Sequence, residues 1–328
     1  MRVAANILVG CVAALLGLGM VMLISASTGQ PKAHYLVMQP IWCVIGVLVC
    51  GIMTTGDYRW FKKNSWSLWA FLGVVRVLLG LVLIPGIGYR ANGASRWLRY
   101  GPATVQPSEL AKVALLLILA WYGDRYQRWM PTFWRGVVLP GVIVVPVLGL
   151  VFLEPDVGTT MLLASVSVVV LFVAGTRARF LVPAGIAGLA ALTVYILNNP
   201  VRLKRVLAFW YPEESKEEVG YQTFQAIIAI GSGGLTGVGL GDGRQKLGFV
   251  PEHHTDFILS VIGEELGLVA TLSVVLAFVV IVICGLYIAW HARDSFGLLL
   301  GTGLTSLIGF QAAINIGVVT GSLPNKGL

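Results

Sequence analysis

The sequence predicts an all-α, polytopic integral membrane protein, and two observations carry that prediction. Hydrophobic residues make up 57% of the 328 residues, charged residues make up only 12%, and the mean hydropathy is +0.83. These values lie far outside the range of soluble globular domains. Apolar runs long enough to cross roughly 30 Å of hydrocarbon as helices recur along the chain. The runs are continuous rather than alternating, which favours helices over a barrel.

Nine such runs are present, and together they predict a single membrane domain over residues 1–328. They cover residues 5–26, 35–55, 66–85, 108–123, 137–153, 158–175, 179–197, 257–290 and 296–320. The four cysteines lie within these runs at spacings that fit no metal motif. We therefore interpret them as small buried hydrophobic residues.

Basic residues in the short connections predict how the helices are oriented. They cluster in every second connection, beginning with Arg59, Lys62 and Lys63. Because cytoplasmic loops carry the excess of Lys and Arg, these connections and the N-terminus are predicted to be cytoplasmic. The long segment 198–256 is then extracytoplasmic. The net charge of +8 reflects this topology and attraction to anionic lipid, and it does not indicate a nucleic-acid partner.

Two predicted outer segments are too long to be simple connections. The first, residues 85–112, carries Arg96 and a Trp97 expected to be exposed, and it ends in a helix that Ser108 is expected to cap. The second, residues 198–256, opens with a basic amphipathic stretch that suits the headgroup layer. An apolar piece too short to span and a glycine-rich piece follow, which together indicate a re-entrant segment.

The glycine-rich run "GVGLGDG" at residues 237–243 resembles a dinucleotide-binding fingerprint. That fingerprint requires a strand before it and a helix after it, and the surrounding sequence provides neither. We therefore reject a dinucleotide site. Backbone N–H groups facing a phosphate remain an alternative for this run.

Ionisable residues concentrate at the start of the eighth apolar run, in "PEHHTDFILSVIGEELG". Thr255 is expected to cap a helix whose first turn contains Asp256, where the helix dipole stabilises a charged carboxylate. An ionised Asp256 would act as a base or a cation ligand rather than as an acid. His253 and His254 could join it around a metal, but their spacing is unspecific and ordinary loop histidines are the simpler interpretation.

Charged residues also lie further inside the predicted helices. Glu109 and Lys112 are one turn apart, and burying either alone would cost roughly 2.5–3.5 kcal/mol, so an inward-facing ion pair is expected. That pair is either structural or lines a polar cavity. Glu264 and Glu265 are expected to pair with other helices. Arg76 has no local acid, so either it reaches another helix or its span is shifted.

The outer segments combine one carboxylate with a set of cations beside lipid. The cations are Arg96, Arg202, Lys204, Arg205, Arg244 and Lys246. Arginine forks suit phosphate, so a lipid-linked pyrophosphate is the substrate class that fits. Glycosyl transfer from such a substrate needs a base for the attacking hydroxyl and positive charge for the departing diphosphate. It does not need the paired carboxylates of a glycosidase.

Five motifs, in order along nearly the whole chain, resemble the SEDS (shape, elongation, division and sporulation) family of bacterial membrane proteins. They are "GASRWLRYGPATVQPSELAK", "FLEPDVGTTMLL", "GYQTFQAIIAIGSGGLTGVGLG", "QKLGFVPEHHTDFILSVIGEELG" and "GSLPNKGL". The "QKL", "GEELG" and "LPNKGL" variants look more like the division branch than the elongation branch. The family normally has ten helices, so nine of the ten are expected in this sequence.

The resemblance implies a peptidoglycan glycosyltransferase in the bacterial cytoplasmic membrane, with its site on the extracytoplasmic side. It would polymerise lipid II by adding a GlcNAc 4-hydroxyl to the MurNAc C1 of a growing strand, releasing undecaprenyl pyrophosphate. The implied partners are lipid II, the nascent glycan strand, a class B penicillin-binding protein acting as transpeptidase, and other divisome membrane proteins. A divalent cation, Mg or Mn, at the pyrophosphate is an open alternative to a cofactor-free site.

The family's functional positions fall on particular residues of this chain. Its essential aspartate in "HTDF" falls on Asp256, its loop tryptophan on Trp97, and its helix ion pair on Glu109 and Lys112. The other substrate-binding positions expected are Arg205, Tyr221, Gln222, Gln225 and His254.

Two other functions share many of these features. A flippase for the same lipid would have similar helices and cationic pyrophosphate contacts, but it would not need a base on the outer face. A non-enzymatic scaffold in the division complex would need neither the base nor the cations. The three readings differ in what they predict for the loss of Asp256, which should stop polymerisation only in the enzyme.

Overall fold

The structure, a computed structural model, describes residues 1–27, 33–91, 94–100, 103–211, 220–244 and 255–324. Within these residues the chain forms twelve α-helices and three short strands. The helices are α1 Arg2–Ser27, α2 Ala33–Thr55, α3 Arg59–Lys63, α4 Ser65–Val82, α5 Pro107–Arg125, α6 Leu139–Leu153, α7 Val157–Val173, α8 Ala178–Leu197, α9 Pro200–Trp210, α10 Tyr221–Ser232, α11 Ile258–Trp290 and α12 Ser295–Val319. The strands are β1 Gly88–Ala91, β2 Ala94–Tyr100 and β3 Ala103–Val105.

Each of the nine predicted runs forms one long helix, which confirms the all-α polytopic prediction. Seven helices in the described part of the chain are long and apolar enough to cross a membrane, and α7 is a shorter apolar helix. The ninth helix, α5, does not meet this criterion because it carries charged residues at both ends, but most of its residues are buried. Because α4, α7 and α12 pack around it, its polar groups do not have to face lipid.

Alternate connections of the bundle lie at the same end. Lys62, in the short helix α3, binds Asp124 at 2.9 Å and approaches Asp294 at 3.6 Å, which joins three connections at one end. Consecutive helices in such bundles run antiparallel. The strands, the α6–α7 turn, α9 and the start of α11 therefore lie at the opposite end, which is the end with the candidate site.

The segment between α4 and α5 contains a small antiparallel sheet that the all-α prediction did not include. Its strand order is β1-β2-β3, with Tyr89 opposite Trp97 and Leu98 opposite Val105. Side chains alternate along a strand, so Arg96 and Trp97 project to opposite faces. Trp97 is half-buried, so the expectation that it is exposed is wrong.

The start of α5 also differs from the prediction. Its N-cap is Gln106, not Ser108, and Pro107 occupies the first helical position. Proline suits this position because the first N–H has no helical partner. Ser108 is buried in the first turn, where its hydroxyl accepts a hydrogen bond from Gln106 Nε2 at 2.8 Å.

Two apolar clusters form the core. The larger cluster surrounds α5 and includes Ile118, Val166 and Phe296, all with no exposed surface. The second joins α1, α10, α11 and the end of α12 and contains Met22 and Val319, both also fully buried. This second cluster supports the start of α11, where Asp256 lies.

The half-buried Arg76 reaches another helix. Its Nη2 donates to the main-chain oxygen of Ile143 on α6 at 2.8 Å. Of the two alternatives for Arg76, the structure supports an interhelical partner and not a shifted span.

The glycine-rich segment after α10 packs its backbone against α11. Gly267 interrupts α11 with φ 78° and ψ −173°. The N–H groups of Leu268 and Val269 instead donate to Gly234 O and Leu235 O, at 2.9 and 3.3 Å. The non-helical backbone expected for a re-entrant segment therefore lies against protein, as the sequence analysis predicts.

Gly237→Ala should destabilise this contact by about 1–3 kcal/mol. Gly237 has φ +84°, and a Cβ there would collide with the main chain of Glu265. Gly231→Ala is the matched control because it lies in α10 with open space around it. Thermal unfolding in detergent should show a lower Tm for the first variant only. Equal melting temperatures would show that the two segments do not pack as described.

Candidate functional site

Asp256 lies exposed in a turn immediately before α11. The helix begins at Ile258 with Phe257 as its N-cap, so the predicted Thr255 cap is wrong and Asp256 precedes the first turn. Asn315 of α12 donates to the main-chain oxygen of Asp256 at 3.2 Å. Phe257 is buried in the second apolar cluster. The backbone is thus held on both sides while the Asp256 residue faces outward.

The two glutamates further along α11 hold the glycine-rich segment. Ser25 Oγ lies 2.8 and 2.6 Å from the two carboxylate oxygens of Glu265, and Gly241 N donates to the same carboxylate at 3.0 Å. Arg244 N donates to Glu264 Oε1 at 2.8 Å. Pairing with another helix is therefore correct for Glu265, which contacts α1, whereas the contact seen for Glu264 is with the loop.

These contacts bear on the phosphate alternative for the "GVGLGDG" run. Its N–H donors at Gly237, Val238, Gly239, Gly241 and Asp242 all bind protein oxygens. Each N–H can make one strong hydrogen bond, so these five are not available to a phosphate. The phosphate alternative is wrong for these donors, and the run instead positions the kinked part of α11.

Two predicted phosphate-binding residues bind the turn between α6 and α7, and a third lies close enough to them to feel their charge. We call Arg96, Arg202 and Arg205 the arginine cluster. Arg96 Nη2 and Arg202 Nη2 both donate to the oxygen of Pro155, at 2.9 and 3.0 Å. Arg96 Nε also donates to Glu154 O at 3.2 Å. The turn therefore links β2 to α9, two elements that are far apart in sequence.

The arginine cluster carries excess positive charge. Burial, followed by the charges of Arg202 and Arg96, lowers the pKa of Arg205. Asp156 forms an ion pair with the cluster, with its Oδ2 4.0 Å from Arg96 Nη1, and it also caps α7 by accepting a hydrogen bond from Thr159 N at 3.0 Å. Three guanidinium groups, of which only Arg96 is paired with this carboxylate in the described contacts, favour the binding of an anion.

The other predicted substrate-binding residues fall into two classes. Tyr221, Gln222 and Gln225 lie half-buried at the start of α10, which packs beside the start of α11 and so belongs with Asp256. Lys204 and the side chain of Arg244 are exposed. Lys246 and His254, together with His253, lie outside the described residues. The predicted residues therefore form an Asp256 group and an arginine group at the same end of the bundle.

The predicted ion pair on α5 is present, with Lys112 Nζ 2.7 Å from Glu109 Oε1. Lys112 is buried and also approaches Gln311 Oε1 of α12 at 3.4 Å. The side chain of Glu109, however, is 56% exposed. The expectation that both residues face inward is therefore wrong for Glu109. The ammonium is buried because it contacts both α5 and α12.

Glu109→Ala should destabilise the protein by about 1–2 kcal/mol, less than for a fully buried pair because the carboxylate is partly exposed. The loss comes from leaving the Lys112 ammonium buried beside a single amide oxygen. Lys112→Met in the Glu109→Ala background should recover part of the loss because it removes the buried charge. The comparison is made by denaturant unfolding, and a double variant less stable than Glu109→Ala would contradict the ion-pair argument.

Glu154 is a residue of this region that the sequence analysis did not select. It is fully buried at the end of α6, and neither carboxylate oxygen has a hydrogen-bond partner within the described ranges. Burial, followed by the nearby Asp156 charge, raises the pKa of Glu154 to about 8, against a lowering effect of Arg96. The signal was available in the "FLEPDVGTTMLL" motif, which places two acids on either side of a proline.

The structure offers no protein cage for a metal in its described part, where no three His, Cys, Asp or Glu side chains come together.

Comparison with known proteins identifies the family of the chain. The FtsW/RodA/SpoVE family model, described as "Cell cycle protein", matches residues 6–328. The "Probable peptidoglycan glycosyltransferase FtsW" of Geobacter metallireducens is 39% identical over 316 residues, which cover 94% of this chain and 84% of the relative. The protein of the same name from Legionella pneumophila is 38% identical over 331 residues, covering 98% and 83%.

Solved structures give the same result. A chain from "Structural coordination of polymerization and crosslinking by a peptidoglycan synthase complex" aligns with a TM-score of 0.80 at 28% identity, covering 98% of this chain and 88% of that chain. The rod shape determining protein RodA of Thermus thermophilus aligns with a TM-score of 0.68 at 28% identity, covering 95% and 83%. The chain therefore belongs to the FtsW/RodA/SpoVE family, the SEDS family that its five motifs resemble.

Proposed function

We propose that this chain polymerises lipid II during cell division, with Asp256 as the general base. The FtsW-named relatives are probable peptidoglycan glycosyltransferases, and this chain is an enzyme of that class. The observation that carries the role of Asp256 is its position: the residue is exposed ahead of α11 while Asn315 and the buried Phe257 hold its backbone. A base fixed in this way can meet an incoming hydroxyl without moving the main chain.

The reaction uses both groups of residues. The Asp256 carboxylate takes the proton of a GlcNAc 4-hydroxyl, and that oxygen attacks the MurNAc C1 of the growing strand. The bond from C1 to the diphosphate oxygen breaks, and undecaprenyl pyrophosphate leaves with the electron pair. The arginine cluster stabilises the negative charge on the departing diphosphate. Asp256 then returns its proton to solvent.

Any divalent cation in this reaction enters, we propose, with the pyrophosphate. Magnesium is commonly held by substrate phosphates and one or two carboxylates and does not require a full protein cage. Titration of polymerisation with Mg²⁺ or Mn²⁺ after chelation tests this proposal.

The proposal also covers the membrane in which the protein lies, the orientation of the protein in that membrane, and its partner protein. The protein lies in the bacterial cytoplasmic membrane with its N-terminus cytoplasmic and the Asp256 end outside, because the basic connections lie at the other end. A class B penicillin-binding protein is the proposed partner, with other divisome proteins around it. The structural relative from a complex that coordinates polymerization and crosslinking supports that partner.

Reconstitution separates this function from the two alternatives. The purified full-length protein, with its partner, is placed in liposomes with fluorescent lipid II, and both glycan products and transfer between leaflets are measured. Polymer is expected in the presence of the protein. Transfer without polymer would replace the proposal with a flippase. Partner binding without polymer or transfer would replace it with a scaffold.

A further inference from the structure

Glu154 is a buried acid inside the group of residues that is proposed to bind diphosphate. Neither of its carboxylate oxygens has a hydrogen-bond partner in the part of the chain that the structure describes, and the residue has no exposed surface. Burying an ionised carboxylate that has no hydrogen-bond donor costs far more free energy than burying the neutral acid. The protein therefore holds a carboxylic acid where a glutamine would fit equally well by shape.

The main chain of Glu154 and its neighbour Pro155 is what the arginines bind. Arg96 donates to both carbonyls and Arg202 donates to that of Pro155, at distances between 2.9 and 3.2 Å. A change in the charge of the Glu154 side chain therefore occurs beside the guanidinium groups that are proposed to hold the substrate.

Few other charged or titratable groups face this turn. Arg96 from β2 and Asp156 from α7 act on Glu154 directly. Arg202 and Arg205 approach from α9, and the Tyr195 hydroxyl on α8 contacts Arg202 Nε at 3.1 Å. These are the described groups whose charges combine with that of Glu154.

We propose that Glu154 is a protonation switch that sets how much positive charge the arginine cluster offers to a lipid-linked diphosphate. With Glu154 neutral, the three guanidinium charges are opposed by Asp156 alone. With Glu154 ionised, a second negative charge lies against Arg96, and the proton has gone to solvent. Glu154 acts through the arginines and does not touch the substrate, so it is a positioning residue. The inference rests on the proposed function.

The direction of the pH effect follows from the charges. Burial raises the pKa of Glu154 to about 8, so the acid is mostly neutral at pH 7 and mostly ionised at pH 9. Diphosphate binding should therefore weaken as the pH rises through this interval. One added negative charge beside the arginine cluster should change the affinity for the diphosphate by on the order of tenfold.

The test compares the parent protein with Glu154→Gln between pH 6.5 and pH 9.5. Binding of farnesyl pyrophosphate, a short lipid-linked diphosphate, is measured in detergent, and KM and kcat for lipid II are measured with the partner present. As the pH rises, the affinity of the parent protein for farnesyl pyrophosphate should fall by roughly tenfold. Its KM for lipid II should rise by roughly the same factor, with little change in kcat. Glu154→Gln should show a flat profile for the binding constant and for KM. Ionisation of the ligand itself affects both proteins equally and cancels in the comparison.

Glu154→Leu provides a second neutral variant in case the amide disturbs the fold, and it should be equally flat. A pH profile that matches the parent in either folded variant would overturn the inference. The two measurements also separate this inference from the proposed function. An active parent polymerase whose pH dependence survives in the variants removes only the switch. A parent that binds farnesyl pyrophosphate with the expected pH dependence but makes no polymer removes only the proposed reaction.

Discussion

Asp256→Asn should abolish lipid II polymerisation, lowering kcat by about 10²–10⁴-fold while leaving the Tm unchanged. The amide has nearly the same shape but cannot accept the proton of the attacking hydroxyl. Because the residue is exposed and its main-chain oxygen holds the contact with Asn315, the substitution should not disturb packing. Gel analysis of fluorescent glycan products measures the rate, and thermal unfolding measures stability.

Asp242→Asn is the matched control for this variant. Asp242 is an exposed acid on the glycine-rich segment next to α11, so its replacement removes the same charge near the same helix. It should polymerise at the parental rate. If Asp256→Asn also polymerises at that rate, Asp256 is not the base. If both variants lose activity equally, the loss reflects the general charge of this surface.

Arg202→Ala should raise the KM for lipid II by about 10- to 100-fold, because a charge-assisted hydrogen bond contributes roughly 1.5–3 kcal/mol. The proposed role of Arg202 is to hold the diphosphate beside Arg96, with which it shares the carbonyl of Pro155. Arg202→Lys should recover only part of the affinity because lysine keeps the charge but loses the planar fork. Steady-state kinetics with lipid II measures both.

Arg96→Ala and Arg202→Ala should be non-additive because the two guanidinium groups donate to one oxygen. Arg177→Ala is the control, since Arg177 is an exposed arginine at the opposite end of the bundle, at the start of α8. It should leave KM unchanged. An unchanged KM in Arg202→Ala as well would show that the arginine cluster does not bind the substrate.

Local patterns in the sequence were enough for the helices and for part of the site. The apolar runs predicted nine helices, and all nine are present in the described residues. The basic amphipathic stretch predicted after residue 198 forms α9, which begins at Pro200. The spacing of Glu109 and Lys112 predicted their contact, because residues three apart on a helix are neighbours. Features that depend on capping were less predictable, as Ser108 and Thr255 show, since several polar residues near a helix start can serve as the cap.

The helical class, the membrane-spanning pattern and the candidate base at Asp256 all follow from composition and short-range spacing, because hydropathy and periodicity are properties of consecutive residues. The packing of the helices established the rest. It joined Ser25 to Glu265 across 240 positions, brought Arg96 and Arg202 to one carbonyl, and buried Glu154 without a described hydrogen-bond partner. Which distant groups meet, and whether water reaches them, depends on how complete helices pack together, and no local pattern contains that information.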